Sequence, residues 1–176
     1  KCRSDRPCGR MALRRYVMAE TQEKIELLKK IAHRFHAAQI EWALGASMML
    51  YFKGLSPAFH DIDLMVSEQD AERAGAILSE MGKLCPPSRE PDPRYRTKVF
   101  LEFTIDAIDV DVMAGFAIVR DGEIYDCALK QEQIAETLLL GTERIPLQSP
   151  LLWCRYDRLM GRDEKADRIE RALASQ

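Results

Sequence analysis

The sequence contains no long apolar run, and none of its hydrophobic stretches approaches the roughly 20 residues that a helix needs to cross a bilayer. It also lacks the charged-then-apolar opening that marks a secretory signal peptide. Repeats and low-complexity tracts are absent as well. We therefore expect a cytoplasmic protein without a membrane partner.

The chain also carries little net charge, because 26 Lys and Arg residues nearly balance 28 Asp and Glu residues. A formal charge of −2 creates no global field that would attract a polynucleotide or an anionic membrane. A long nucleic acid is therefore not the expected substrate. With 176 residues and 47% hydrophobic content, the chain is long and apolar enough for one domain with a proper core.

The cysteines are odd in number and show no paired metal-ligand spacing; they are Cys2, Cys8, Cys85, Cys127 and Cys154. This pattern predicts free thiols in a reducing compartment, and argues against a disulfide framework or a zinc site. The basic opening KCRSDRPCGR has no initiator methionine, so Met11 or Met18 is a candidate natural start. We expect residues 1–17 to be peripheral.

Hydrophobic periodicity predicts an α/β (α+β) fold in which helices flank a mixed β-sheet. Helices are expected from a capping Thr21 to Phe35, over Met48–Phe52, and from a capping Ser67 to Gly82. The expected strands are Ile40–Leu44, Asp61–Val66, Thr97–Phe103, Ile108–Met113, Phe116–Arg120 and Glu123–Tyr125. The dipeptide Asp121-Gly122 between the last two strands predicts a tight hairpin turn.

A short C-terminal helical segment is expected to follow this core. Its predicted helices are Gln131–Leu140, Pro150–Met160 and Asp163–Ala174. The division of the chain that results is a peripheral segment of residues 1–17, a core of residues 18–130 and a helical segment of residues 131–176.

The basic residues of the C-terminal segment alternate with acidic ones, which predicts local ion pairs on a solvated helix. Phosphate contact by Arg155 or Lys165, and base or acceptor contact by Tyr156, are the alternatives. Residues 83–94, which contain four prolines, form a long loop. Such a loop is either a lid or binding segment of a site or plain linkage, and both interpretations stay open.

Two short motifs between Trp42 and Val66 carry the chemical signal. Gly45-Ala46-Ser47 is a small-residue turn between an apolar run and a helix-like run, and such a turn offers backbone N–H groups to a phosphate. Asp61 and Asp63 alternate with apolar residues, so in a strand their side chains share one face. Neighbouring carboxylates repel and are costly to bury unless a cation lies between them. Together the motifs indicate metal-dependent chemistry on a nucleotide.

This stretch resembles the nucleotidyltransferase superfamily of DNA polymerase beta, and in particular its small bacterial aminoglycoside and lincosamide nucleotidyltransferases. Those proteins have a Gly-Gly or Gly-Ser turn, a helix, and then an apolar-Asp-apolar-Asp-apolar strand. The resemblance is best from Ile40 to Gly82. The sequence departs from the pattern in its Gly-Ala-Ser turn, and in having SPAFH where an arginine often precedes the aspartates.

The resemblance implies a third carboxylate on a neighbouring strand, because two Mg²⁺ ions about 4 Å apart must share bridging oxygens. The run from Ile105 to Met113 supplies the candidates. Asp109 and Asp111 would share a strand face. The family places this residue just before a short apolar run, which favours Asp111 in DVMAGF over Asp109.

The resemblance also implies the roles of these residues. Asp61 and Asp63 would hold the Mg²⁺ that binds the triphosphate, and with Asp111 the Mg²⁺ that activates the acceptor. Asp111 could also accept the proton of the acceptor hydroxyl. Gly45 would allow close approach of the backbone, and Ser47 would donate a hydrogen bond to a β- or γ-phosphate oxygen.

The predicted activity is transfer of a nucleoside monophosphate, AMP in the first instance, from an NTP such as ATP to a hydroxyl acceptor. A small-molecule acceptor is favoured, and a homodimer is possible. The alternatives are a non-catalytic nucleotide-binding or interaction module of the same fold, and a toxin-type transferase that acts on a protein or tRNA.

Overall fold

The computed structural model describes the backbone of residues 10–176, and the side chains of Met18 and of residues 20–176. Our predictions for Cys2 and Cys8 lie outside this part of the chain. The peripheral position predicted for residues 1–17 also lies outside it, apart from the backbone of residues 10–17, which is helical. None of the described helices is long and apolar enough to cross a membrane.

The architecture consists of five α-helices and nine strands in the described chain. The helices are α1 (Arg10–Ala37), α2 (Ala46–Phe52), α3 (Ala71–Met81), α4 (Pro150–Leu159) and α5 (Asp163–Ala174). The strands are β1 (Trp42–Leu44), β2 (Ile62–Val66), β3 (Lys83–Leu84), β4 (Val99–Ile105), β5 (Ile108–Ala114), β6 (Ala117–Arg120), β7 (Glu123–Asp126), β8 (Ile134–Leu140) and β9 (Glu143–Gln148). Short 3₁₀ turns cover Glu68–Asp70 and Gln131–Gln133.

Seven strands form one mixed sheet in the order β3-β4-β5-β2-β1-β9-β8, and β6 pairs with β7 in a separate hairpin. The central strand β2 runs parallel to β5 and antiparallel to β1. Strand β1 in turn runs parallel to β9. The predicted mixed α/β architecture with C-terminal helices is therefore confirmed.

The core forms because the central strands carry apolar residues at every position on at least one face. In β5, Val110 and Val112 are fully buried while Asp109 is exposed, which is the alternation that a strand covered on one face requires. Helices α1 and α3 contact each other and pack against β9, β4 and β5. Helix α2 contacts β2 and α4. The opposite face of β2 and β5 is thereby left to carry polar side chains.

The helix predicted over Gln131–Leu140 is wrong. Residues from Ile134 form strand β8, which pairs with β9 through a two-residue turn at Gly141, where φ is +63°. The stretch IAETLLL is rich in helix formers, but pairing with β9 and partial burial of Leu138 and Leu140 override local propensity. The helical segment therefore begins at Pro150.

The helix start predicted at Thr21 is also wrong, because α1 already begins at Arg10. The intervening residues are mainly good helix formers with no Gly or Pro, so nothing in them ends the helix. The hairpin predicted around Asp121-Gly122 is confirmed, and both residues have positive φ, as its tight turn requires.

Candidate active site

The parallel pairing of β2 and β5 brings the predicted carboxylates together. Asp63 and Asp111 are direct register partners, so their side chains lie on the same face of the sheet. Asp61 lies in the bend immediately before β2. All three side chains line a single cavity of about 970 Å³, a volume in the range of small-molecule sites.

Asp109, the alternative third carboxylate, lies elsewhere. It is exposed, it is not among the residues that line the cavity, and its Oδ1 lies 3.4 Å from the Thr104 hydroxyl. Glu102 of β4 is the register partner of Asp111 on its other side, and it does line the cavity. Sequence reasoning missed Glu102, because no local motif marks a single acid within an apolar strand.

The carboxylates face one another with little compensation. Burial, together with the charges of Asp111 and Asp61, raises the pKa of Asp63 to about 7. Burial and the charges of Asp61 and Glu102 raise the pKa of Asp111 to about 7. Within the described chain, the side chains of Asp61, Asp63 and Asp111 have no hydrogen bond or ion pair. A bound cation would reduce the repulsion among these carboxylates.

The fit to a metal rests on this donor set of hard carboxylate oxygens, which suits Mg²⁺. No three His, Cys, Asp or Glu side chains of the described residues converge into a ready-made metal cluster. The carboxylates thus line one wall of the cavity without forming a closed cage. Such an arrangement fits Mg²⁺, which usually takes only one or two protein carboxylates together with waters and substrate phosphates.

The small-residue turn lies beside this acidic wall. The Gly45 N–H donates to the backbone oxygen of Asp63 at 3.0 Å, which ties the turn to β2. Ala46 and Ser47 line the cavity, and no hydrogen bond within the described chain occupies the Ser47 hydroxyl. Ala46 has a φ of +47°, in the left-handed region that favours glycine.

Gly45 is required by packing. A β-carbon at this position would lie 2.7 Å from the Trp153 ring and 2.9 Å from Gln148 Oε1. The Trp153 indole N–H donates to that same Gln148 oxygen at 2.8 Å, which locks the ring in place. Helix α4 therefore packs directly onto the turn, and only glycine leaves room for it.

A positively charged wall comes from the start of α5. Arg162 and Lys165 line the cavity. Burial and the neighbouring carboxylates raise the pKa of Asp63, and the charges of Lys165 and Arg162 offset part of that rise. Lys165 was one of two alternatives for phosphate contact, whereas Arg162 was missed. Arg155, the other alternative, lines a different surface groove. Tyr156 is buried, and its hydroxyl lies 3.4 Å from the Cys127 carbonyl, outside the cavity.

Apolar side chains from several elements complete the wall of the cavity. They include Leu84, Pro87, Tyr95, Phe100, Met113 and Phe116. Phe100 is 49% exposed, which is high for a large apolar residue at the mouth of a cavity. Six residues of the 83–94 loop line the cavity beside Leu84, so this loop is a wall of the site. Its position at the cavity fits a lid or binding segment, and that role stays a prediction.

Comparison with known proteins finds no matching family model and no matching curated sequence. Solved structures do match. A candidate nucleotidyltransferase from Thermotoga maritima is 24% identical, with a TM-score of 0.65 over 88% of this chain and 95% of that one. ANT(2'')-Ia, solved with adenylyl-2''-tobramycin, is 12% identical, with a TM-score of 0.57 over 86% of this chain and 90% of that one.

The lincosamide antibiotic adenylyltransferase LnuA, solved with lincomycin, is 13% identical, with a TM-score of 0.51 over 81% of this chain and 94% of that one. The resemblance inferred from the two sequence motifs is therefore confirmed at the level of the fold. This chain has the nucleotidyltransferase fold over most of its length.

Proposed function

We propose that the protein is a metal-dependent nucleotidyltransferase that moves a nucleoside monophosphate, AMP in the first instance, from an NTP to the hydroxyl of a small molecule. The observation that carries this proposal is the register pairing of Asp63 with Asp111 at the wall of a cavity, with Asp61 beside them, in a chain of nucleotidyltransferase fold.

Asp61, Asp63 and Asp111 are the residues that would hold Mg²⁺. When bound, the metal, as two ions in the usual arrangement for in-line displacement, would supply positive charge to the phosphate oxygens. The raised pKa values of Asp63 and Asp111, caused by burial and by neighbouring carboxylates, support a cation at this position.

The chain's own residues would do the remaining work by position. The acceptor oxygen attacks the α-phosphorus, the bond from that phosphorus to the oxygen bridging to the β-phosphate breaks, and pyrophosphate leaves. Asp111 would accept the proton of the acceptor hydroxyl. Ser47, which lines the cavity, would donate a hydrogen bond from its hydroxyl to a β- or γ-phosphate oxygen. Catalysis of this kind is mainly positioning and charge neutralisation.

A small acceptor suits the rest of the cavity. The 83–94 loop and the apolar side chains of β4 and Phe116 offer a surface of limited size, and the near-neutral chain offers no field for a polymer. ANT(2'')-Ia and LnuA, which share the fold, were solved with an adenylylated aminoglycoside and with lincomycin. We therefore favour a small hydroxyl compound over a protein or tRNA.

Nucleotide binding by calorimetry tests the donor site. The parent protein would be titrated with each of the four NTPs, with and without Mg²⁺, beside Asp63→Asn and the matched control Asp109→Asn. We expect metal-dependent binding that Asp63→Asn abolishes and Asp109→Asn retains. Absence of binding to every NTP would overturn the enzyme assignment and favour a non-catalytic module of the same fold.

Transfer of label from an α-³²P NTP tests the reaction and the acceptor class together. Label on a small molecule would support the proposal. Label on a cell-extract protein or on tRNA would instead support the alternative of a toxin-type transferase. Release of free nucleotide without any adduct would identify a hydrolase.

A further inference from the structure

Asp157 on α4 is a buried carboxylate that the proposed reaction does not use. Its exposed fraction is 0%, and neither of its side-chain oxygens has a hydrogen-bond partner of good geometry. A buried carboxylate is costly unless a cation compensates it. The two nearby cations are Lys165, whose Nζ lies 3.4 Å from Oδ1, and Arg162, whose Nη1 lies 3.7 Å from Oδ1.

The backbone around Asp157 holds the same two residues in place. The Arg162 N–H donates to the Asp157 carbonyl at 2.8 Å, and the Lys165 N–H donates to the Arg162 carbonyl at 3.1 Å. The junction between α4 and α5 is therefore ordered around Asp157, and it presents both cations to the cavity.

These two cations differ from Arg158 of α4. Arg158 pairs with three acids, Asp163, Asp167 and Glu170, on the solvated side. Arg162 and Lys165 share one carboxylate between them, and among the described residues neither forms an ion pair with Asp61, Asp63 or Asp111. Their side chains remain 44% and 30% exposed, so one uncompensated positive charge is available at the cavity wall.

We propose that Asp157 is a positioning residue that holds Arg162 and Lys165 at the cavity wall, where the two cations bind the β- and γ-phosphates of the nucleotide. This inference rests on the proposed function. When the bond between the α-phosphorus and the bridging oxygen breaks, its electron pair stays on the departing pyrophosphate. Arg162 and Lys165 then neutralise the added charge, and Asp157 fixes the side chains that do so.

If Arg162 and Lys165 bind the β- and γ-phosphates, the protein should prefer ligands that carry a polyphosphate group. Cations that touch the β- and γ-phosphates strengthen binding of ATP and pyrophosphate but not of AMP. Each charge-assisted contact that is lost should weaken ATP binding by about tenfold or more. The ratio of ATP affinity to AMP affinity is therefore the informative quantity, because a purely structural defect lowers both affinities together.

The experiment measures the dissociation constants of Mg-ATP, AMP and pyrophosphate by calorimetry. The variants are Lys165→Gln, Arg162→Gln and Asp157→Asn, with a melting curve for each. Arg168→Gln is the matched control, since Arg168 is an exposed cation of the same helix that does not line the cavity. We expect the ATP-to-AMP ratio to fall in the three variants and to stay at the parent value in the control.

The double variant Asp157→Asn with Lys165→Gln separates positioning from independent action. If Asp157 acts through Lys165, the double variant should bind ATP little more weakly than Lys165→Gln alone. Asp157→Glu, which keeps the charge, should retain more of the ATP-to-AMP ratio than Asp157→Asn. An equal loss of ATP and AMP affinity in Asp157→Asn would reduce Asp157 to a structural role and overturn the proposal.

Lys165→Gln and Arg162→Gln still test the inference if Asp157→Asn does not fold. The Lys165 and Arg162 side chains are partly exposed to solvent, so we expect both variants to fold. An unchanged ATP-to-AMP ratio in both variants overturns the inference. If the parent binds ATP in a manner that depends on Asp63 and this ratio is unchanged, only the inference fails. If the parent binds no NTP, the proposed function fails with it.

Discussion

Asp63 and Asp111 occupy directly paired positions on two parallel strands at the centre of the sheet, and the charge of Asp111 raises the pKa of Asp63. Strand pairing alone thus brings together two acids that lie 48 positions apart in the chain.

Asp111→Asn should abolish most of the transfer activity, while Asp109→Asn should leave it nearly intact. Loss of a metal ligand or general base commonly lowers the rate by about 10²- to 10⁴-fold. Asp109 faces solvent beside Thr104 and outside the cavity. The turnover of each variant with the best NTP and acceptor checks this. A greater loss in Asp109→Asn would reverse the assignment of the third carboxylate.

Asp63→Asn should stabilise the metal-free protein at pH 8, by on the order of 2 kcal/mol. The folded pKa of about 7 lies above the ordinary value of 3.8, so the folded state binds more protons between these values. Stability of the metal-free parent should therefore fall as pH rises from about 4 to 7. Urea unfolding at pH 5 and pH 8 in a chelator measures this, with Asp109→Asn as the control.

The outcome that contradicts this second prediction is a stability difference between Asp63→Asn and the parent that does not change with pH. Addition of Mg²⁺ to the parent at pH 8 should restore stability, because a bound cation replaces the missing protons. The Asp63→Asn variant should gain less from the metal.

Ala46→Gly should leave stability unchanged or raise it by up to about 1 kcal/mol, although glycine in a helix is usually costly. The positive φ of Ala46 is strained for any residue with a β-carbon. The matched control is Ala76→Gly, an exposed position within α3, where the same change should cost about 1 kcal/mol. Denaturant melts compare the two variants, and equal losses at both positions would refute strain at Ala46.

Asp70→Asn should cost about 1–3 kcal/mol at pH 7. The Asp70 carboxylate accepts a hydrogen bond from the Glu41 N–H at 2.7 Å and one from Arg73 at 2.6 Å. These contacts hold its pKa below the ordinary value, the backbone bond most strongly. The stabilisation is therefore present above about pH 4 and is lost as pH falls through the lowered folded pKa.

Urea unfolding of Asp70→Asn and the parent at pH 7 and near pH 2.5 checks this fourth prediction. The difference in unfolding free energy should shrink at the lower pH. Glu72→Gln, at an exposed position in the first turn of α3, is the control and should change stability little at either pH. A constant difference for Asp70→Asn across this range would show that charge is not the cause.

The acidic wall and the small-residue turn of the candidate site could be located from the sequence, because their signals are local. Small residues mark a turn directly in the sequence. Two acids that alternate with apolar residues must lie on one face once the segment forms a strand. The choice of Asp111 over Asp109 needed a family pattern, since both share a strand face. The structure shows how the two residues differ. Asp111 lies at a point along β5 that borders the cavity, whereas Asp109 lies outside the cavity.

The rest of the site depends on contacts between distant segments. Glu102 lines the cavity because it pairs in register with Asp111. Arg162 lines it from the junction between α4 and α5, where it lies beside the buried Asp157. A charged residue on an amphipathic helix gives no local sign that it is buried. Strand β8 was missed for a related reason, because leucine-rich segments suit a helix until a partner strand is available.

The place of β1 in the sheet has a consequence for biosynthesis. Its Leu44 is paired on one side with Leu64, twenty positions later, and on the other with Leu147, more than a hundred positions later. While the ribosome is still translating the intervening residues, one edge of β1 has no native partner, and an open edge of this kind invites misassembly. Completion of the sheet must therefore await the last quarter of the nascent chain. The turn at Gly45–Ser47, which packs against Trp153 of α4, consequently reaches its final environment late in synthesis.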